Sequence, residues 1–173
     1  MINSPRKLEA AANISVICAA LLVGGIALKQ FLLPKSGPNL SQIKVGQKVS
    51  LKNIDWSLKR KHVVLGLSST CRFCADSAPF YQRLIREVNK HQDLGAIAIL
   101  QEPTKNGAEY LGKLGVSIAD VRQTEFASIP ISATPTILLV TSNGVVEKVW
   151  VGKLSRKAES EVMEAVGCKQ PCG

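Results

Sequence analysis

Histidine is almost missing from these 173 residues: His62 and His91 are the only two. One opens an apolar run and the other ends a helical pattern, so both read as structural residues rather than ligands. Aromatics are also scarce, with two Trp, two Tyr and four Phe, and none is interleaved with a basic stripe. The net charge of +9 therefore does not point to nucleic acid, which needs clustered cations and stacking surfaces. Lys59-Arg60-Lys61 is the single tight cluster. It suits contact with anionic lipid head groups, or simply a solvated turn before the next strand. There is no internal repeat and no low-complexity block, which argues against solenoid and fibrous architectures.

One long stretch lacks charge altogether. Ala10 to Leu28 is dominated by Ile, Val, Leu and Ala, with Arg6 and Lys7 before it and Lys29 and Pro34 after it. That length can span a bilayer as a helix. The expected organisation is a tail (1–9), a transmembrane anchor (10–33), a linker (34–42) carrying Pro34, Gly37 and Pro38, and one domain (43–173). A cleaved signal peptide is the competing reading, because Gly25-Ile26-Ala27 is a tolerable cleavage site. Cys18, preceded by bulky Ile17, reads as a small apolar residue. Lys29, Lys35, Lys44 and Lys48 follow the segment, and a bare count of flanking cations would keep the domain inside.

After the anchor, about 130 residues remain, enough for one domain around one core. The pattern predicts strands near Lys48–Leu51, at His62–Ser68 and at Ala96–Gln101, and helices over Cys74–Lys90 and Asn106–Leu114. Ala133-Thr134-Pro135-Thr136 leads into the strand Ile137–Val140, and Ser142-Asn143-Gly144 is a tight hairpin signal. A partner strand, Val145–Val151, and a helix, Ser155–Val166, close the chain. Strands alternating with helices imply an α/β sheet covered on both faces. Ile97, Ile99, Ile137, Leu139 and Val140 read as core.

The chemistry-bearing motif is Cys71-Arg72-Phe73-Cys74, set where an apolar strand hands over to an amphipathic helix. A thiol there lies beside unpaired backbone N–H groups at the positive end of the helix dipole, which favours its thiolate. Cys71 is thus the candidate attacking sulfur. Cys74, one turn on, can attack a mixed disulfide formed by Cys71. Arg72 either depresses the Cys71 pKa further or is a solvated surface residue. Phe73 offers an apolar contact to a client or packs locally. Pro79 falls inside the helix, where it demands a kink. A Thr-Pro bond such as Thr134–Pro135 is permissive for cis. Cys168 and Cys172 form a second pair, suited to a disulfide in an oxidising compartment; a relay pair and free or metal-binding thiols are the alternatives.

In order, the Cys-x-x-Cys, Pro79, Thr134-Pro135 and the Asn143-Gly144 to Gly152 hairpin resemble the thioredoxin superfamily over residues 43 to 167. The spacing from Cys71 to Pro135 exceeds that of plain thioredoxin and is similar to the membrane-anchored TlpA/ResA-like branch. The resemblance implies a thioredoxin-like α/β fold: a central mixed sheet flanked by helices, an inserted strand-helix unit and one N-terminal transmembrane helix. It also implies that Thr134 precedes a cis proline facing the cysteines and presents backbone groups to a bound peptide. Three positions depart from the family. Thr70 replaces the usual Trp, Leu65 occupies the place of a buried acid, and Ser77 stands where ResA-like proteins carry a glutamate. Asp76 is adjacent but rotated by about 100° on a helix. No general base is evident.

The expected activity is a thiol–disulfide oxidoreductase, more a reductase than an oxidase, with no cofactor and no metal. Its expected partners are client proteins bearing thiols or disulfides, a membrane or soluble thiol electron donor, and the lipid bilayer through residues 10–33. The resemblance places it as a single-pass protein of the inner (cytoplasmic) membrane, with the domain facing the periplasm or cell exterior. Two alternatives remain open. One is a thioredoxin-like binding or chaperone module without turnover. The other is a zinc-binding module using Cys71, Cys74, Cys168 and Cys172, whose spacings suit a tetrahedral site.

Overall fold

The computed structural model describes residues 43–168 apart from positions 127 and 130. The expected anchor (10–33), the linker (34–42) and Cys172 lie outside the described residues. Among the described residues, no helix is long and apolar enough to cross a membrane.

Period-2 alternation organises the sheet. Five strands, β1 (Lys61–Gly66), β2 (Leu94–Leu100), β3 (Asp120–Gln123), β4 (Thr136–Thr141) and β5 (Val146–Val151), lie in the order β3-β2-β1-β4-β5. β1, β2 and β3 run parallel, with Val63 opposite Ala96 and Ile99 opposite Arg122. β4 runs antiparallel to β1, with Leu65 opposite Ile137, and β5 antiparallel to β4, with Thr136 opposite Val151. Alternate side chains enter different cores. Val63, Leu65, Ala98, Leu100, Ile137 and Leu139 face one cluster; Val64, Ile97, Ile99, Leu138 and Val140 face the other. Each fully buried Leu or Ile contributes about 1.5–3 kcal/mol relative to exposure.

The first cluster is roofed by helices. These are α1 (Arg72–Asp76), α2 (Ala78–Lys90), α3 (Thr104–Lys113) and α4 (Arg156–Ala165). Tyr81, Leu84, Ile85 and Val88 of α2, Leu111 of α3, and Val162 and Met163 of α4 all bury there. An Arg83–Glu159 ion pair at 2.7 Å joins α2 to α4. The second cluster has no α-helical cover among the described residues; a short 3-10 turn, Trp56–Leu58, brings Trp56 onto it. Ile43, Val49, Leu51, Ile54, Trp56, Phe126, Ile129 and Ile131 close it from irregular segments. Among the described residues, the sheet is therefore covered on both faces as expected, but by α-helices on one face only.

Three local differences from the sequence reading have physical causes. The expected strand at Lys48–Leu51 is a single bridge, Lys48 to Val145. The expected helix Cys74–Lys90 starts earlier and is two helices, broken at Ser77 (φ −89°, ψ 1°). Pro79 has no N–H to continue the ladder, and it sits in the first turn of α2, where that donor is not needed. β3 was not anticipated, because Asp-Val-Arg-Gln shows no apolar alternation; Arg122 clamps Asp120 at 2.6 and 3.0 Å and donates to the carbonyls of Lys52 and Asn53. With α3, β3 fills the extra length before β4. The hairpin is as expected: Gly144 has φ +74°, and a Cβ there would lie 2.8 Å from the Trp56 ring.

Candidate active site

β1 ends at Gly66, and the chain turns through Leu67–Thr70 to deliver Cys71 as the N-cap of α1. The Cys71 N–H donates to Ser68 O at 3.1 Å, which sets the turn. Its carbonyl accepts from the N–H groups of Cys74 (3.1 Å) and Ala75 (3.3 Å), which starts the helix. Cys71 is partly exposed and Cys74 is fully buried; both are free thiols. From across the sheet, the segment before β4 brings in Thr134. The Cys71 thiol donates to the Thr134 carbonyl at 3.2 Å. The Thr134–Pro135 bond is cis, and Pro135 O accepts from Gly152 N–H at 2.7 Å, tying this turn to the end of β5. Thr136 Oγ1 closes the turn on Ala133 O at 2.7 Å. Cys71, Cys74, Thr134 and Pro135 thus converge at one end of the sheet, past the C-terminal end of β1.

The two thiols are electrostatically unlike. Burial opposes ionisation of Cys71, but hydrogen bonds from the Thr134 side chain, the Cys74 thiol and the backbone of Cys74 and Phe73 outweigh it. Its pKa falls below the ordinary thiol value. Burial pushes Cys74 up to about 12, against the pull of a backbone hydrogen bond at Ser68. Cys71 is therefore the thiol that ionises first and the one open to solvent. Arg72 is exposed, as a solvated surface arginine would be. Phe73 is 55% exposed, an apolar side chain on the rim beside Cys71.

The departures from the family pattern are visible in three dimensions. Leu65 is fully buried in the helix-covered core. Ser77 is buried, and its hydroxyl donates to Phe73 O at 2.8 Å. Asp76 faces outward, in an ion pair with Lys153 at 3.1 Å. None of these three offers Cys74 a base.

Three residues at the site were missed in the sequence. Glu102, just past the C-terminal end of β2, accepts from the N–H (2.8 Å) and hydroxyl (2.6 Å) of Ser69 through Oε1. Burial works against its ionisation, but the Ser69 hydrogen bonds carry its pKa below the ordinary carboxylate value. Its position was the available signal, since parallel strands gather functional groups at their C-terminal ends. Tyr81 and Tyr110, the only tyrosines of the chain, both pack against the cluster that holds the cysteines. Their scarcity was the only hint.

The remaining candidates lie elsewhere. Lys59 donates to Gln92 O at 2.6 Å, Arg60 pairs with Asp93, and Lys61 pairs with Glu147 at 2.7 Å. The basic cluster is thus engaged by the domain's own acceptors, which favours the solvated-turn reading over the lipid one. His62 is buried against the edge of Trp56, and His91 lies 3.4 Å from Glu87; both are structural. Cys168, after α4, is buried and disulfide-bonded, and its backbone N–H donates to Met163 O at 3.0 Å. A sulfur held in a disulfide is not a thiolate ligand, so the four-cysteine zinc reading loses a donor.

A scan against protein-family models returns no match, and neither does a search of curated proteins. Solved structures do match. A protein proposed to be the thiol:disulfide interchange protein DsbE of Chlorobium tepidum superposes with TM-score 0.59 at 16% identity, covering 72% of this chain and 99% of that one. A thiol:disulfide interchange protein of the thioredoxin family from Chlorobium tepidum TLS gives 0.54 at 18% identity, covering 73% of this chain and 100% of that one. A thiol-disulfide isomerase from Corynebacterium glutamicum gives 0.54 at 14% identity, covering 76% of this chain and 99% of that one. At these identities the likeness is one of fold. The chain has the thioredoxin-like α/β fold, with a mixed five-stranded sheet and helices.

Proposed function

We propose that this chain is a thiol–disulfide oxidoreductase, working through Cys71 as attacking thiolate and Cys74 as resolving thiol. One observation carries the reading. A partly exposed thiol of lowered pKa caps a helix 3.2 Å from Thr134 O, with a second free thiol buried one turn behind it. A structural cysteine pair needs neither the asymmetry nor the exposure. In this reading Cys71 attacks a client disulfide and forms the mixed disulfide, and Cys74 then displaces the client thiolate. Thr134 and Pro135 present backbone groups to the client peptide beside Cys71. The direction we infer, from the resemblance to the TlpA/ResA-like branch alone, is reduction, with electrons drawn from a membrane or soluble thiol donor; the lowered Cys71 pKa by itself pulls the other way.

The domain is held at a membrane by residues 10–33 and faces the periplasm or cell exterior. What supports this is the uncharged segment Ala10–Leu28 and the disulfide at Cys168, which suits an oxidising compartment. Insulin reduction by the full chain, with dithiothreitol as donor, tests the activity. The expected result is turnover that vanishes in Cys71→Ser, and accumulation of client mixed disulfides in Cys74→Ser. Client binding without turnover in the unaltered chain would support a binding module instead.

A further inference from the structure

Resting on the redox reading above, we propose that Glu102 is a positioning residue for disulfide exchange: by holding Ser69 from the neighbouring strand, it fixes the turn that seats Cys71 against Thr134. The turn has little of its own to order it. Ser69 and Thr70 are exposed, so burial does not hold them. Inside the turn, the Ser68 and Thr70 hydroxyls lie 3.0 Å apart, and the Thr70 N–H reaches Ser68 Oγ at 3.4 Å. The helix that follows, α1, is five residues long, far short of the roughly 12–15 residues at which a helix holds itself in water. An anchor from outside the turn has to supply the order.

Glu102 supplies it. The parallel pairing of β1 with β2 persists one residue past β1, where the Leu67 N–H donates to Ile99 O at 3.0 Å. Beyond that point Glu102 bridges the two chains, its Oε1 accepting from Ser69 N–H at 2.8 Å and Ser69 Oγ–H at 2.6 Å. Its pKa lies below the ordinary carboxylate value, so both bonds go to an ionised acceptor, which makes them short and strong. Ser69 is held through backbone and side chain at once. Cys71 is two residues on, and its N–H donates to Ser68 O at 3.1 Å, so the set of the turn passes directly to the Cys71 backbone. With φ −86° and ψ 111° there, the sulfur meets Thr134 O at 3.2 Å.

Glu102 acts through the turn and not on sulfur. Both short bonds end on Oε1, Oε2 is buried without a partner, and among the described residues no hydrogen bond joins Glu102 to either cysteine. A carboxylate charge acting directly on Cys71 would disfavour a second anion and raise its pKa. The seated arrangement does the opposite and lowers it. Loss of charge and loss of position therefore have opposite signs at Cys71. Around the turn, the groups that titrate are Cys74 on α1, Tyr81 on α2 and Tyr110 on α3. Burial holds both tyrosines above the ordinary value, so they stay neutral where Cys71 ionises. Arg72 is exposed, and Asp76 is paired with Lys153.

The test is iodoacetamide alkylation of the reduced full chain in detergent, followed from about pH 5 to about pH 10, with peptide masses reporting Cys71. Glu102→Ala removes both bonds to Ser69. The pH midpoint of Cys71 should rise by about half a unit or more, which is about a threefold loss of rate below the midpoint. Glu102→Gln keeps the Oε1 acceptor and removes the charge, so its midpoint should match the unaltered chain or fall below it, whatever it costs in melting temperature. A role in stability alone would lower the melting temperature of Glu102→Ala and leave its midpoint in place. A midpoint in Glu102→Ala no higher than in Glu102→Gln overturns the proposal. If Glu102→Ala does not fold, Ser69→Ala, which deletes the 2.6 Å bond alone, decides it: a raised midpoint sustains the proposal and an unchanged one sinks it. Failure of the unaltered chain to reduce insulin overturns the redox reading itself, a result distinguishable from a lost difference between the alanine and glutamine variants.

Discussion

Alkylation of the reduced protein with iodoacetamide should separate Cys71 from Cys74 by orders of magnitude. Only the thiolate reacts, so the rate follows the ionised fraction times access. At pH 7 a thiol with a pKa of about 12, as burial gives Cys74, is ionised to roughly one part in 10⁵. A thiol at the ordinary value of 9.0 is ionised to roughly 1%, and Cys71 lies on the favourable side of that value. The ratio is therefore about a thousandfold or more, before the complete burial of Cys74 is added. The assay is time-resolved alkylation at mildly acidic and neutral pH, with peptide masses assigning each site. Lowering the pH by one unit should slow Cys71 no more than about tenfold while keeping its lead. Alkylation of Cys74 first, or of both at rates within tenfold, would refute the assigned roles and the electrostatic argument behind them.

Three further outcomes are expected. Burial raises the Cys74 pKa from 9.0 to about 12, so the folded reduced protein binds this proton more tightly than the unfolded chain. That contribution is intact below about pH 9 and lost as pH rises toward 12, up to about 4 kcal/mol in all; denaturant titrations should show the reduced form losing stability over this window relative to the oxidised form, and parallel curves would contradict it. Glu102→Ala removes both Ser69 hydrogen bonds and should cost about 1–3 kcal/mol, with faster amide exchange at Ser69 as the local signature; unchanged exchange there would count against the anchoring role. An export-dependent reporter enzyme fused after Gly173 should be active, and an impermeant thiol reagent should label Cys71 in intact reduced cells, whereas labelling only after lysis would support the inward orientation that the flanking lysines favour.

What could be read from the sequence was whatever rests on local periodicity and punctuation. Val63 to Leu67, Ile137 to Val140 and the Asn143-Gly144 turn announce strands and a hairpin because burial and positive φ constrain residue type directly. Cys71 and Cys74 were legible because a strand-to-helix Cys-x-x-Cys has few other uses. The approach of Thr134 to Cys71 came from the resemblance rather than from spacing. The edge strand Asp120–Gln123 was hidden, since a polar four-residue edge held by Arg122 has no apolar rhythm. Glu102, Tyr81 and Tyr110 were hidden for another reason: they meet the cysteines only through the fold, from β2, α2 and α3, and no local pattern encodes that meeting. The break at Ser77 was half visible, as a kink demanded by Pro79 but not as two separate helices.

The unequal cover of the sheet gives the domain two independent controls. Cys71 and Cys74 belong to the helix-covered cluster, while Ile43, Val49, Ile129 and Ile131 close the far side from loops. Trimming a methyl group there, as in Ile129→Val, weakens the fold by about 0.5–1.5 kcal/mol without contacting a redox group. Melting temperature and redox potential can therefore be tuned separately, one from each side of a single layer of strands.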